Sequence, residues 1–379
     1  MHRRMILGLA AALLASLTGS AAESTVTTRP LWMRDVQISP DGASIAFTYK
    51  GDIWVVPTQG GMARQLTATD YYETTPVWSP DGKSIAYACA RHGNLDVFMI
   101  DVRGGRPQRL TSNSAAEIPE AFSPDGKSIY FSAAIQAPAT SAMFPSSRMT
   151  QLYKVAVSGG APVQVLGTPA QLMSWTDKTG KSFVYQDVKG FEDQWRKHHT
   201  SSVTRDLWLY DDATGKHTNL TNRAGEDRNP VVAGDRLYFL SEREGDNCIN
   251  VYTAPLADVS KAQRLTAFKG NPVRFLSRGA DGTLCFGYDG EIYTMKDTDK
   301  APRRVEVSLI DPDDPVAEKK KVSSGATSAA PSPDGKSIAF TYRGDVFVTS
   351  VEYTTTKQIT HTPEAEYGLS WAPDGKILY

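Results

Sequence analysis

Ser39-Pro40-Asp41-Gly42, leading into the alternating run Ser44-Ile45-Ala46-Phe47-Thr48-Tyr49, decides the fold, because the chain repeats it. The tetrapeptide returns as Ser79-Pro80-Asp81-Gly82, Ser123-Pro124-Asp125-Gly126, Ser332-Pro333-Asp334-Gly335 and Ala372-Pro373-Asp374-Gly375. Pro40 and Pro80 are 40 residues apart, Pro80 and Pro124 are 44, and Pro333 and Pro373 are again 40. Proline presets φ at the second turn position, Ser and Asp side chains bond nearby backbone, and Gly takes the strained exit. After each turn comes an alternating strand: Ser84-Ile85-Ala86-Tyr87-Ala88-Cys89 and Ser337-Ile338-Ala339-Phe340-Thr341-Tyr342 match Ser44 to Tyr49. A further strand follows a Gly/Asp turn, as in Asp52-Ile53-Trp54-Val55-Val56 and Asp96-Val97-Phe98-Met99-Ile100. Another ends in Leu-Thr (Leu66-Thr67, Leu110-Thr111), and a short strand such as Pro76-Val77-Trp78 leads into the next turn. Four short strands in roughly 40 residues, with apolar alternation and glycine turns, describe a β-propeller blade. Such a blade is one sheet that buries its faces only against its neighbours.

Between Pro124 and Pro333 the repeat continues in weaker form. Ser174-Trp175-Thr176-Asp177 marks a fourth blade, Val231 to Phe239 a fifth, and Asp281-Gly282-Thr283-Leu284-Cys285-Phe286 a sixth. Asp311-Pro312-Asp313-Asp314-Pro315 and Lys319-Lys320-Lys321 then interrupt the pattern with the composition of a linker. The expected fold is all-β, TolB- or WD40-like: a six-bladed β-propeller of four-stranded antiparallel blades, followed by the beginning of a second propeller. The expected boundaries are 1–22 for a leader, 23–310 for the propeller, 311–330 for the linker, and 331–379 for the first blade and a fraction of the second ring. One continuous ring of seven or eight blades with a charged loop is the alternative. The last residues, Gly375-Lys376-Ile377-Leu378-Tyr379, stand in the middle of a unit, as if the parent chain continues.

The 379 residues carry 41 Lys+Arg against 42 Asp+Glu, and a net charge of −1 gives no electrostatic footprint for nucleic acid. His2-Arg3-Arg4, the apolar run Met5 to Leu17 and the small residues up to Ala22 read as a secretory signal peptide, cleaved after Ala21 or Ala22. That run is short of the about 20 apolar residues a bilayer span needs. The mature chain is thus expected to be exported, periplasmic or secreted, with no membrane span. Cys89, Cys248 and Cys285 are far apart and odd in number, so buried free thiols are expected.

Chemistry-bearing motifs are absent: there is no GxSxG, HExxH, Walker A loop or GxGxxG. No cofactor and no metal is expected. Trp78, Trp175 and Trp371 each precede a blade turn, where packing between blades is the favoured role. Two insertions break the pitch. Blade 3 carries Ala133 to Gln151, with Arg148 near its end, and blade 4 carries Gly190 to Asp206. The second combines a tryptophan, two histidines and both charge signs, so Trp195, Arg196, Lys197, His198, His199 and Arg205 are the candidate residues for peptide binding or interdomain contact. The same loop could instead pack over a blade.

The Ser-Pro-Asp-Gly blades resemble the TolB-type repeat. The run Glu192-Asp193-Gln194-Trp195-Arg196-Lys197-His198-His199-Thr200-Ser201-Ser202-Val203-Thr204-Arg205-Asp206-Leu207-Trp208 resembles the first propeller of tricorn-like serine peptidases, particularly exported bacterial homologues. The resemblance implies a second, seven-bladed propeller, a helical segment, a PDZ domain and a peptidase core beyond these residues. It implies propellers that filter and channel peptides, and a homo-oligomeric parent. No residue of this chain matches the catalytic motifs of that family, so the chain alone is expected not to hydrolyse peptides. The partners so implied are unfolded polypeptide or peptides and the downstream domains of the parent. A stand-alone TolB-like periplasmic binding propeller and the propeller of a prolyl-oligopeptidase-like enzyme are the other readings.

Overall fold

The computed structural model describes residues 26–135, 146–191, 201–244, 248–310, 323–353 and 355–379, and the ordered elements are strands apart from one 3-10 turn at Val259–Lys261. Six antiparallel four-stranded blades follow one another along the chain. Blade 1 comprises Arg34–Ile38, Ser44–Tyr49, Asp52–Pro57 and Arg64–Gln65, and blade 2 comprises Glu73–Trp78, Ser84–Cys89, Asp96–Asp101 and Gln108–Arg109. Blade 3 begins with Glu117–Phe122, Ser128–Ala133 and Gln151–Ala156. Its outer strand is the first part of Val163–Trp175; the last part of that long strand is the inner strand of blade 4. Ser182–Asp187, Leu207–Asp211 and Lys216–Asn219 complete blade 4. Blade 5 comprises Asp227–Ala233, Arg236–Ser241, Asn250–Pro255 and Gln263–Arg264, and blade 6 comprises Arg274–Arg278, Leu284–Tyr288, Glu291–Met295 and Arg303–Arg304.

The inner strand of each blade touches the inner strand of the next, and that of blade 6 touches that of blade 1, so the ring closes at six. Six apolar clusters fill the six seams. Between blades 1 and 2, for example, Ala46, Ile53 and Val55 meet Ile85, Tyr87 and Phe98. At the closing seam Ile45, Phe47 and Trp54 of blade 1 meet Cys285 and Ile292 of blade 6. Here the ring is also clasped. Val307–Ile310 leaves blade 6, pairs antiparallel with Val26–Thr28 and parallel with Gly61–Met62 of blade 1, and buries Val307 and Leu309 in the shared core. The residues just before blade 1 therefore belong to the closure, which the repeat pattern did not foretell.

The recurring turns serve the ring. Ser39 Oγ donates to Asp41 Oδ1 and accepts from the Ser44 N–H, and the same pattern recurs at Ser79, Ser123 and Ser332. The tryptophans bind blade to blade as expected. Trp78 Nε1 donates to the Gln37 carbonyl at 2.9 Å, Trp175 Nε1 to Phe122 at 2.7 Å, and Trp371 Nε1 to Ala330 at 2.9 Å. All three cysteines are buried, and none of them forms a disulfide.

A seventh four-stranded sheet, Ala326–Pro331, Ser337–Tyr342, Asp345–Ser350 and Thr356–Gln358, lies outside the ring and is followed by the short pair Ser370–Trp371 and Ile377–Leu378. It contains a natural control. The hexapeptide Ser-Ile-Ala-Phe-Thr-Tyr occurs at 44–49 and at 337–342. In blade 1 every residue after the serine is buried, whereas in the seventh sheet only Ala339 and Thr341 are. Burial of this sequence comes from flanking sheets, as a quasi-repeat architecture requires.

Candidate functional site at the ring axis

The inner strands carry the ring's distinctive geometry. In every blade the pairing of the inner strand with its neighbour slips by a bulge. In five blades a non-glycine residue there takes a left-handed backbone: Asp35 (φ 52°), Thr75 (55°), Leu172 (45°), Asn229 (53°) and Phe275 (57°). Blade 3 departs for a plain reason. Its equivalent residue is Pro119, whose ring fixes φ near −65°, and the irregularity falls on Glu120 instead. Bulges re-aim side chains and end ladder pairing, and they concentrate at barrel rims and next to functional sites.

A bulge also frees backbone N–H groups, and side chains of the preceding blade accept them. Asp35 Oδ2 accepts from the Thr74 hydroxyl at 2.7 Å and the Thr75 N–H at 3.4 Å. Glu120 Oε2 accepts from the Leu172 N–H at 2.9 Å, and Gln186 Oε1 from the Asn229 N–H at 3.2 Å. Asn229 bridges onward, accepting from the Leu276 N–H at 2.8 Å and donating to the Leu276 carbonyl at 3.0 Å. The polar side chains around the axis thus fix one blade against the next. Glu120 is partly open to solvent, yet the surrounding strands crowd out its hydration, and this burial pushes its carboxyl up to about 7. The axis therefore carries a group that changes charge near neutral pH.

A second set of acids is buried away from the axis. The threonine of each Leu-Thr signature accepts a strand N–H, Thr67 from Ile53 at 2.9 Å, Thr111 from Val97 at 2.8 Å, Thr221 from Leu207 at 2.9 Å and Thr266 from Val251 at 2.9 Å, and Thr360 of Ile359-Thr360 does the same with Val346 at 2.7 Å. Beside Thr67 lie Asp52 and the fully buried Glu73. Burial pushes Asp52 up to about 6, with the Glu73 charge adding to the rise, and burial raises Glu73 itself. In blade 2 the fully buried Asp96 lies 2.8 Å from Arg109, and burial outweighs that guanidinium to raise it.

Of the residues singled out in blade 4, Trp195, Arg196, Lys197, His198 and His199 lie outside the described residues. Arg205 is 8% exposed and pairs with the buried Glu226 at 3.2 Å, at the seam of blades 4 and 5. Lys189 holds Asp206 at 2.7 Å and Asp187 at 3.5 Å in the same region. The described edges of both insertions lie between the second and third strands of their blades, so those edges share one end of the ring, opposite the Ser-Pro-Asp-Gly turns. There the Arg148 guanidinium lies 5.4 Å from the Phe191 ring, joining the edges of the two insertions. The axial bulges escaped sequence reasoning because Asp35, Thr75, Leu172, Asn229 and Phe275 share no residue type, and the turn proline that follows Asp35 and Thr75 by five residues has no counterpart after the other three.

The described histidines are His92, His217 and His361. His217 Nδ1 is 2.8 Å from the Tyr185 hydroxyl, His361 meets Gln358, and His92 stacks near Phe98. None of these contacts pairs a histidine with a serine or cysteine nucleophile. Among the described residues no group of three or more His, Cys, Asp or Glu is placed to hold a metal ion, and no helix is long and apolar enough to cross a membrane.

Comparison with known proteins bears on the whole ring. Residues 25–301 match the family model of the tricorn protease N-terminal beta propeller domain. Tricorn protease homolog 1 of Streptomyces coelicolor is 28% identical over 277 residues, covering 71% of this chain and 24% of that protein. Tricorn protease of Thermoplasma acidophilum is 25% identical over 331 residues, covering 86% of this chain and 30% of that protein. A crystal structure of the tricorn protease superposes with a TM-score of 0.62 at 22% identity, covering 88% of this chain and 32% of that one, and shares the fold. The chain thus spans under a third of the length of these relatives. With the family match running from residue 25 into the sixth blade, this chain belongs to the tricorn protease N-terminal β-propeller family.

Proposed function

We propose that this ring is a non-catalytic part of a longer peptidase chain and guides unfolded polypeptide to or from a proteolytic core. The observation that carries the reading is the closed ring of six blades, whose bulged inner strands surround a common axis. A passage along that axis would select by chain width and need no nucleophile, which fits the absence of catalytic motifs from the sequence. The seventh sheet, with its partly exposed copy of the blade 1 hexapeptide, is the first blade of a second ring in this reading. The leader-like start makes the protein an exported one, and N-terminal sequencing of the mature form should begin at Ala22 or Glu23.

The direct experiment titrates the chain with a fluorescent, unfolded casein fragment and with a labelled folded globular protein. Binding of the fragment without binding of the folded protein, and with no cleavage of either, supports the proposal. Equal binding of both, binding of neither, or hydrolysis by the chain itself overturns it.

A further inference from the structure

We infer that the seam between blades 6 and 1 holds a binding site for the aromatic side chain of a polypeptide, an inference that rests on the polypeptide-guiding role proposed above. A cavity of about 930 Å³ lies there, which is within the range of sites that enclose a small-molecule-sized group. Its lining comes from the lead-in to blade 1, from the first three strands of blade 6 and the residues beside them, and from Glu364 of the segment after the seventh sheet. Met33, 3% exposed, is its deep apolar contact, while Leu31 and Trp32, 42% and 52% exposed, stand at its mouth. Phe275, the axial bulge residue of blade 6, lines it too, so the cavity adjoins the ring axis.

Two independent features single it out. The first is strain. Among the described non-glycine residues with a left-handed backbone, eight belong to the axial bulges or to two-residue hairpin turns that recur from blade to blade; the other two, Arg29 (φ 66°) and Trp32 (68°), both line this cavity. For bulky aromatics such a backbone is a genuine outlier. Strain of this sort persists where the surroundings over-determine it, and it clusters at ligand clamps.

The second is the chemistry of the lining. Trp32, Phe275 and Tyr288 supply aromatic surface, and Arg29, Arg34 and Arg274 supply guanidinium groups. A π-system is attracted to both, by edge or offset stacking and by cation–π contact. Stacking uses the face of a guanidinium and leaves its N–H groups to their own partners. The acids of the cavity are already engaged. Glu291 Oε1 is 2.6 Å from Arg29 and 3.2 Å from Arg304, Asp289 accepts from Asn271 at 2.8 Å, and Glu364 accepts from the Trp32 indole at 3.3 Å. The site therefore favours an aromatic side chain over a cationic one.

The test titrates the full chain with N-acetyl-phenylalaninamide, N-acetyl-lysinamide and N-acetyl-alaninamide, followed by NMR. Burying a phenyl group should make the phenylalanine amide bind at least about tenfold more tightly than the alanine amide, with the lysine amide no better than alanine. Trp32→Ala, and separately Leu31→Asp, should each weaken the phenylalanine amide at least about fivefold. Both sites are at the exposed mouth, so the melting temperature should hold, and either variant alone suffices if the other misfolds. Equal binding of the three amides, or affinity unchanged in both variants, overturns the inference. If the casein fragment binds while the amides do not discriminate, this site is refuted and the axial role stands; if the fragment does not bind, it is the axial role that fails.

Discussion

Replacing Glu120 by glutamine should stabilise the ring by an amount that grows as pH rises from about 4.5 to about 7 and is constant above that. The Glu120 carboxylate accepts the N–H of Leu172, the bulge residue of the neighbouring blade, at 2.9 Å. Burial lifts its pKa from 4.5 to about 7. The folded chain thus keeps this proton up to about pH 7, while the unfolded chain releases it near 4.5. The associated stability is fully present below the unfolded value and is lost as pH rises through the folded one. The interval corresponds to about 3 kcal/mol at full weight, and partial exposure of the side chain reduces this to about 2 kcal/mol. Glutamine keeps an oxygen for the Leu172 N–H but never ionises. Urea unfolding of wild type and Glu120→Gln at pH 4.5 and pH 8 gives the comparison. The variant should match wild type at the lower pH and exceed it by about 2 kcal/mol at the higher one. Other carboxylates raised by burial, such as Asp52 and Glu73, titrate alike in both proteins and cancel in the difference. A stability difference that is the same at both pH values would refute the reasoning.

Three further outcomes follow from the seams. Trp78→Phe keeps the ring but removes the N–H that reaches the Gln37 carbonyl, so it should cost about 1 kcal/mol in urea unfolding; no loss would mean the bond holds nothing. Arg205→Ala strands the buried Glu226 carboxylate and should cost about 3–5 kcal/mol, whereas a residue kept only for surface contact would leave stability unchanged. Hydrogen exchange read by mass spectrometry should protect residues 44–49 much longer than the identical hexapeptide at 337–342, because only the first is flanked by blades on both sides; equal protection would contradict the packing described.

Most of the ring was legible in the sequence, for a physical reason. Ser-Pro-Asp-Gly is a turn whose proline, aspartate and glycine each meet a separate backbone demand, and Ser44 to Tyr49 alternates at the strand period. The tryptophans before the turns could be assigned to packing, and their indoles do bridge neighbouring blades. The clasp was hidden because Val26–Thr28 and Val307–Ile310 meet only once the ring is closed. Their pairing depends on the circumference, not on any local pattern. The seam cavity was hidden likewise, since Trp32 and Phe275 are distant in sequence and neither belongs to the repeat signature. Arg205 drew notice as part of a polar insertion, but polarity does not tell an exposed guanidinium from one buried against Glu226.

The central claim, that polypeptide meets this ring at its axis, is tested most directly by photo-crosslinking. An unfolded casein fragment carrying a benzophenone group would be irradiated with the full chain and the attachment sites mapped by mass spectrometry. The account predicts crosslinks at the axial bulges, on the strands that bear Thr75, Leu172, Asn229 and Phe275. Crosslinks confined to the outer strands, such as Gln108–Arg109 and Lys216–Asn219, would contradict it.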